Sequence, residues 1–241
     1  MIAAAGSAAA LYITQAENAE IVPATPAAQL GERFLAHFED SGNWYVAVAV
    51  GSTEDDVDVV YVDGTIETHR ADVLRFDGLG PGSQVLALRR DGSAACVLEE
   101  RRGSAVRVRY EDGTLSWRSL AYVSVSDMNI DQPGVAEPAG DPEEVLAIWK
   151  DDPWLYPGVV IGREDAKVHV LFEDGAADWR APGQVRRFTL KAGDSLEVKV
   201  GDDWTPAIYI QRLAGGHAVA VELNGATHWT AFSRIRMPVG N

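Results

Sequence analysis

The sequence predicts an all-β fold made of four similar repeats. Apolar and polar residues alternate with a period of two in short stretches rich in Val, Ile and aromatic residues, each bounded by Gly, Asp or Pro. None of the four repeats carries the apolar stripe of an amphipathic helix. A turn pair typical of hairpins recurs four times, at Asp63-Gly64, Asp112-Gly113, Asp174-Gly175 and Asn224-Gly225.

Each repeat would be a small barrel, because a lone hairpin is only marginally stable and exposed sheet edges must be closed. Repeats this short bury little apolar surface, so we expect them to share interfaces as two tandem pairs. The predicted order is a disordered or partly helical N-terminal segment (1–30), two strongly bent five-stranded barrels (31–77 and 78–125), a linker rich in Pro and acidic residues (126–142), and two further barrels (143–188 and 189–238).

The strands follow the same plan along the chain. In the first repeat the apolar run 34–38 precedes the Val-rich run 57–62, and the runs 145–149 and 168–172 do the same in the third repeat. In the second repeat, the stretch 106–110 alternates cleanly before its turn. Five residues after the turn Asp or Asn stand residues that we predict to be core and scaffold: Thr68, Trp117, Trp179 and Trp229.

Charge is distributed unevenly over the 241 residues and their net charge of −15. The first repeat has ten acidic against three basic side chains within 32–76, whereas the second has five against seven within 82–125. An acidic surface favours cationic partners and repels nucleic-acid phosphates. The single cysteine, Cys96, excludes an intrachain disulfide framework and is predicted to be a buried, inert thiol.

The chain shows neither an apolar run of the roughly 20 residues that span a bilayer nor the basic flank and apolar core of a signal peptide. We therefore expect an intracellular protein, cytoplasmic or nuclear, without a membrane partner. The five histidines lie singly and without metal-ligand spacing, and no nucleophile–base set stands out. The sequence thus predicts no metal, no cofactor and no enzymatic activity.

Comparison of the repeats separates residues needed by the fold from candidate binding residues. The first and third repeats share three aromatic residues and an Asp at identical spacing: Phe38, Tyr45, Tyr61 and Asp63, against Trp149, Tyr156, Phe172 and Asp174. The other two repeats lack the full set: the second has Arg89 first, Ser93 or Ala94 second and Tyr110 third, and the fourth has Val200, Thr205 and Glu222. A requirement of the fold alone would recur in all four repeats.

The stretch 146–160 is similar to the first hairpin of the Tudor domain and its plant relative, the Agenet domain, which belong to the Royal family of small barrels. The resemblance covers 31–77 and 143–188 well, and the other two repeats only as scaffold. It implies two aromatic cages for methylated lysine or arginine, formed by Phe38, Tyr45 and Tyr61, and by Trp149, Tyr156 and Phe172.

Such a cage suits a methylated ammonium group. Methylation removes N–H donors and adds apolar surface, so aromatic ring faces bind this group well. Asp63 and Asp174 would add a negative charge, unless they serve only their turns. The acidic pairs Glu39-Asp40 and Asp151-Asp152 would steer a basic peptide, and Trp44 and Trp154 would extend a groove.

We therefore predict a non-enzymatic reader or adaptor that binds a basic, possibly methylated, protein or peptide. One alternative is nucleic-acid binding through the arginines of the second repeat: Arg89, Arg90, Arg101, Arg102, Arg107 and Arg109. These arginines would otherwise pair with the acidic first repeat. The remaining alternative is a purely structural interaction scaffold.

Overall fold

The computed structural model describes residues 28–38, 41–130, 142–150, 152–213 and 216–240. These residues form two curled antiparallel sheets of ten strands each, and their only helices are short 3-10 turns. The predicted all-β class is confirmed. No helix in these ranges has the length and apolarity needed to cross a membrane.

The strands of the first sheet are β1 (Arg33–His37), β2 (Asn43–Ser52), β3 (Asp56–Tyr61), β4 (Ile66–Arg70), β5 (Arg75–Phe76), β6 (Gln84–Arg89), β7 (Gly92–Arg102), β8 (Ala105–Tyr110), β9 (Leu115–Ser119) and β10 (Val123–Ser126). Those of the second are β11 (Glu144–Ile148), β12 (Trp154–Glu164), β13 (Lys167–Phe172), β14 (Ala177–Arg180), β15 (Val185–Arg187), β16 (Ser195–Val200), β17 (Asp203–Arg212), β18 (Ala218–Leu223), β19 (Ala226–Ala231) and β20 (Ile235–Pro238). The 3-10 turns are Ala71–Val73, Leu120–Tyr122, Asp127–Asn129, Pro182–Gln184 and Phe232–Arg234.

Both sheets have the same connectivity. The first runs β4-β3-β2-β10-β6-β7-β8-β9, with β1 pairing with both β2 and β5, and the second repeats this order from β11 to β20. The last strand of each sheet joins two repeats: Val125 of β10 pairs with Trp44 of β2, while Val123 pairs with Ala87 of β6. Backbone hydrogen bonds of β10 therefore link two repeats within the first sheet.

A register shift at the same place bends the second strand of every repeat. It lies between Ala49 and Gly51 in β2, and at the corresponding points of β7, β12 and β17. Such bulges bend a strand and increase its local twist. They explain why the sheets curl instead of lying flat.

The Asp-Gly turns share one geometry, which the Asn-Gly turn does not. At Gly64 the φ angle is 90°, and the Tyr61 N–H donates to the Thr65 carbonyl, so three residues form the loop. In the fourth repeat Asn224 and Gly225 have φ angles of 54° and 81° and form a two-residue loop. The shorter loop changes the alignment by one residue.

The strand end that matches Tyr61, Tyr110 and Phe172 is consequently Leu223, which is buried, and not the exposed Glu222 named from the sequence. The sequence comparison aligned the turns by their Asp or Asn residue. That alignment assumes equal loop lengths, an assumption that fails in the fourth repeat.

Apolar residues are shared across repeats. The core of the second repeat includes Leu35, Val46 and Val62 of the first, and the core of the fourth includes Leu146 and Leu155 of the third. Cys96 lies buried in the second repeat's core as a free thiol, and burial raises its pKa to about 11. The predicted burial of this thiol is confirmed.

The two sheets also pack on each other, with the first repeat against the fourth and the second against the third. Trp229 packs with Val48 and Val60 at one contact, and Trp117 packs with Val159 at the other. These two tryptophans, which we expected in the barrel cores, therefore serve the contact between the sheets. The residues that pack with these tryptophans belong to the other sheet. The sequence pattern of a single repeat does not show which other repeat it packs against.

The predicted terminal segment and linker fall mainly outside the described residues, which exclude 1–27 and 131–141. Ala28 is buried in the first repeat's core, ahead of the predicted boundary at residue 31. Asp127 accepts a hydrogen bond from the Trp44 indole at 2.6 Å, and Ile130 packs on the second repeat's core. The start of the predicted linker is thus part of the folded first pair, while the barrel boundaries themselves stay a prediction.

Candidate functional site

The three aromatic residues of the first repeat converge at one pocket. Phe38 follows β1, Tyr45 lies in β2 and Tyr61 ends β3. The Phe38 ring lies 5.8 Å from that of Tyr45 and 5.1 Å from that of Tyr61, both edge to face. The first pocket has a volume of about 170 Å³ and is lined by Phe38, Tyr45, Val46, Tyr61, Val62, Asp63, Leu120 and Ala121. Since Leu120 and Ala121 belong to the second repeat, the pocket lies between two repeats.

The buried hydroxyl of Tyr61 is held by three polar groups. It donates to the His37 carbonyl at 3.0 Å, and it also lies 3.0 Å from Glu67 Oε2 and 2.9 Å from His69 Nε2. Burial, followed by the hydrogen bond to Glu67, raises the pKa of Tyr61 above its ordinary value. The ring is thereby fixed in the wall with a carboxylate behind it.

Asp63 serves its turn and also lines the first pocket. Its Oδ1 accepts the Thr65 N–H at 2.9 Å and its Oδ2 accepts the Thr65 hydroxyl at 3.1 Å. Asp174 accepts the Ala176 N–H at 3.0 Å and lines the pocket of the third repeat. Both carboxylates are exposed, so the turn role leaves their charge available at the pocket mouth.

The aromatic residues of the third repeat line a second, larger pocket. The rings of Trp149 and Phe172 lie 4.9 Å apart, whereas Tyr156 contacts Trp204 of the fourth repeat at 6.1 Å. The second pocket has a volume of about 270 Å³ and is lined by Trp149, Tyr156, Pro157, Phe172, Glu173, Asp174, Lys199, Trp204, Phe232, Ser233 and Ile235. The predicted set is therefore brought together, with two further rings, Trp204 and Phe232, added by the fourth repeat.

Trp204 is a pocket residue that sequence reasoning missed. It aligns with Trp44 of the first repeat and Leu155 of the third. The one available signal was its aromatic character at a position that is not aromatic in the third repeat. Its place in the wall shows that the fourth repeat contributes directly to the second pocket.

Arginine and lysine side chains lie near the rings of the second pocket. The Arg180 guanidinium lies 5.7 Å from the Trp149 ring and 5.8 Å from the Phe172 ring, and Lys150 Nζ lies 5.0 Å from the Trp149 ring. The Tyr156 hydroxyl donates to Asp152 at 2.9 Å and accepts from Arg236 at 3.4 Å. The two pockets thus differ in their electrostatic surroundings.

Glu173 is a further residue that the sequence did not single out. It is buried beside the second pocket, its Oε1 accepts the Ser104 hydroxyl at 2.6 Å, and its Oε2 has no hydrogen-bond partner among the described residues. Burial raises its pKa to about 7. Glu173 directly precedes an Asp-Gly turn. The residues at the same place before the other two Asp-Gly turns are Val62 and Glu111, so comparison of the repeats did not distinguish Glu173.

The corresponding place in the second repeat is filled by its own arginine. The Arg89 guanidinium lies 4.6 Å from the Tyr110 ring, and Ala94 stands where the other repeats have Tyr45 or Tyr156. The fourth repeat has Val200, Thr205 and Leu223 at these places. Neither repeat has the three rings of a cage, as the sequence comparison indicated.

The two tryptophans predicted to extend a groove are engaged by neighbouring groups. The Trp44 indole donates to Asp127, and its ring lies 5.7 Å from the Arg75 guanidinium. Arg236 lies between Trp154 at 4.1 Å and Trp204 at 4.3 Å. Glu39, Asp40 and Asp151 of the predicted acidic steering pairs lie outside the described residues.

Most arginines of the second repeat are paired with carboxylates. Arg101 binds Asp77 through two hydrogen bonds of 2.9 and 2.8 Å in a buried pair. The other pairs are Arg89 with Asp112, Arg102 and Arg107 with Glu100, and Arg109 with Glu99. Arg90 is exposed. Among the described residues, only Arg101 of these arginines pairs with a carboxylate of the first repeat, so the expected set of pairs between the two repeats is largely replaced by pairs within the second.

Within the part of the chain that the structure describes, no group of three or more His, Cys, Asp or Glu side chains is arranged to hold a metal ion. His217 is buried and its Nε2 lies 2.9 Å from the Val60 carbonyl. Burial lowers its pKa to about 4. This histidine therefore joins the first and fourth repeats in its neutral form.

No protein-family model matches the chain, and no curated protein matches it. Among solved structures, the chain is similar to the four MBT repeats of Drosophila melanogaster Sfmbt, crystallised in complex with peptide RHR (me)K VLR. The identity is 9%, the match covers 88% of each chain, and the TM-score is 0.21. A similarity at this level carries no argument about the fold or the ligand of this chain.

Proposed function

We propose that this protein is a non-enzymatic reader or adaptor, built of Tudor-like barrels of the Royal family, that binds a methylated lysine or arginine on a basic protein or peptide. The convergence of Phe38, Tyr45 and Tyr61 around the first pocket carries this proposal. The pocket of Trp149, Tyr156 and Phe172 is its counterpart in the third repeat.

The size and lining of the first pocket suit an alkylated ammonium group. A pocket of about 170 Å³ admits the end of one side chain but not a folded element. Each well-placed ring contributes roughly 0.5–2 kcal/mol to the binding of a cation. Methyl groups also gain from contact with Leu120 and Val46, whereas a bare ammonium would lose its water without comparable compensation.

The charge around the first pocket favours a basic partner. Asp63 lies at the lining and Glu67 stands behind Tyr61. The first repeat has seven more acidic than basic side chains within 32–76. Such a surface attracts a basic peptide at long range and repels nucleic acid. The pairing of the second repeat's arginines weakens the nucleic-acid alternative further, because paired guanidinium groups have less charge to offer phosphates.

A peptide titration tests the proposal. A trimethyl-lysine peptide and its unmethylated twin are each added to the full chain, and backbone and indole resonances are followed by NMR. We expect shifts around Phe38, Tyr45 and Tyr61 with the methylated peptide only. Dimethyl-arginine peptides form the second arm. If all methylated peptides leave the spectrum unchanged, a structural scaffold becomes the better description.

A further inference from the structure

The two pockets differ in the side chains behind their third ring. Equivalent residues of the first and third repeats stand 111 positions apart, so Tyr61, Glu67 and His69 correspond to Phe172, Asp178 and Arg180. These sets satisfy the same backbone group in different ways. The Tyr61 hydroxyl donates to the His37 carbonyl at 3.0 Å; in the third repeat, Arg180 Nε donates to the Ile148 carbonyl at 2.7 Å.

Arg180 therefore brings a positive charge to the second pocket's rings. Its side chain is 8% exposed, and its buried Nη2 has no hydrogen-bond partner in the part of the chain that the structure describes. Its ion pair with Asp178, at 2.9 Å, offsets this charge only in part, because the Asp178 side chain is 44% exposed and screened by water. Lys150 lies over the Trp149 ring as well.

A ring that already contacts one cation attracts a second one poorly. The attraction comes from the negative ring face, and two cations near one ring repel each other, more strongly where water is excluded. In the first pocket the situation is reversed. Among the described residues, no arginine or lysine stacks on Phe38, Tyr45 or Tyr61, and the carboxylate of Glu67 lies behind the ring instead.

Building on the proposed function, we propose that the first pocket alone binds the methylated cation and that the second rejects it, because Arg180 supplies the positive charge there. The residues behind the third ring, Glu67 with His69 or Asp178 with Arg180, set this selectivity. The second pocket thus differs from the first in the charge beside its rings as well as in its volume.

Stoichiometry tests this selectivity on the full chain. A trimethyl-lysine peptide is titrated by calorimetry into the natural protein, Tyr45→Ala and Tyr156→Ala. We expect one peptide per chain, loss of binding in Tyr45→Ala, and unchanged affinity in Tyr156→Ala. Two peptides per chain of similar affinity, or loss of binding in Tyr156→Ala alone, would overturn the selectivity and leave the proposed function standing. Absence of binding by the natural protein would overturn both.

Exchanging the residues behind the third ring between the two pockets tests whether Arg180 causes the selectivity. The triple variant Phe172→Tyr, Asp178→Glu and Arg180→His gives the second pocket the first pocket's set. We expect a second peptide to bind at least about tenfold more tightly than to the natural second pocket. The reverse exchange, Tyr61→Phe with Glu67→Asp and His69→Arg, should weaken the first site by a similar factor. If the folded triple variant gains no site, Arg180 is not the cause; if a variant fails to fold, the stoichiometry of the natural protein still decides the selectivity.

Discussion

The Ser104 hydroxyl donates a 2.6 Å hydrogen bond to the buried carboxyl group of Glu173, which joins the second repeat to the third. Within the described ranges, the second carboxyl oxygen has no hydrogen-bond partner. The ionised form of Glu173 is consequently poorly solvated in the folded protein, and burial raises its pKa from 4.5 to about 7.

This burial predicts a pH dependence of stability. Because the folded pKa of Glu173 is the higher one, its contribution is complete below about pH 4.5 and is lost as the pH rises through about 7. His217 acts in the opposite sense: its pKa is lowered to about 4, so its contribution is present above about pH 6.5 and is lost as the pH falls. Glu173→Gln should remove the first effect and keep the second.

Denaturant unfolding at a series of pH values measures this pH dependence of stability. The stability difference between the natural protein and Glu173→Gln should change with a slope of up to about 1.4 kcal/mol per pH unit between pH 5 and 7. A difference that does not change with pH would mean that Glu173 has an ordinary pKa in the folded protein.

The half-buried Tyr45 should affect binding more than folding. Tyr45→Ala removes one ring of the first pocket and its contact with Phe38, so we expect affinity for a methylated peptide to fall more than tenfold, and stability to fall by about 1–2 kcal/mol. Thr205→Ala, at the matching place of the fourth repeat, should change neither. Calorimetry and thermal melting give the two readouts. A large loss of stability without a loss of binding would assign Tyr45 to the core alone.

Arg101 should be a structural residue. Its ion pair with Asp77 is buried, and removing one partner leaves an unpaired charge, so Arg101→Ala should destabilise the fold by about 3 kcal/mol or more. The exposed Arg109, paired with Glu99, provides the control, and we expect no measurable change for Arg109→Ala. Equal melting temperatures for the two variants would contradict this assignment.

Alanine substitutions at two turn glycines form a matched pair that tests the contact between the sheets. Gly113 and Gly175 have φ angles of 80° and 81°, so alanine at either position costs about 1–2 kcal/mol in backbone strain. A Cβ at Gly175 would also lie 2.5 Å from the Tyr122 ring, while a Cβ at Gly113 meets no atom within 4 Å. Gly175→Ala should therefore melt at a lower temperature than Gly113→Ala. Identical melting curves would show that Tyr122 moves aside freely.

The sequence predicted what local patterns determine. Alternation and turn chemistry predicted the strands, and comparison of the repeats placed Phe38, Tyr45 and Tyr61 at one site. It misplaced the end of the fourth repeat's third strand because Asn-Gly and Asp-Gly close loops of different length. Turn residues indicate that a hairpin forms, but a one-residue difference in loop length decides which side chain is buried.

Features that depend on contact between repeats were not predictable in the same way. Trp204 enters the second pocket, and Trp117 and Trp229 pack between the sheets, because of how whole repeats are arranged. Arg180 was likewise overlooked as a neighbour of the second pocket. Its sequence position corresponds to a histidine in the first repeat, and only the shared backbone carbonyl shows that the two residues are alternatives.

Because β10 is shared by two repeats, the first pocket is completed late in the synthesis of those repeats. β10 comes from the end of the second repeat, yet it hydrogen-bonds to β2 of the first, and Leu120 and Ala121 just before it complete the pocket wall. The aromatic residues leave the ribosome early, but the pocket they line is complete only once the chain has emerged as far as Ser126. A nascent chain arrested before that point would display the rings without the site.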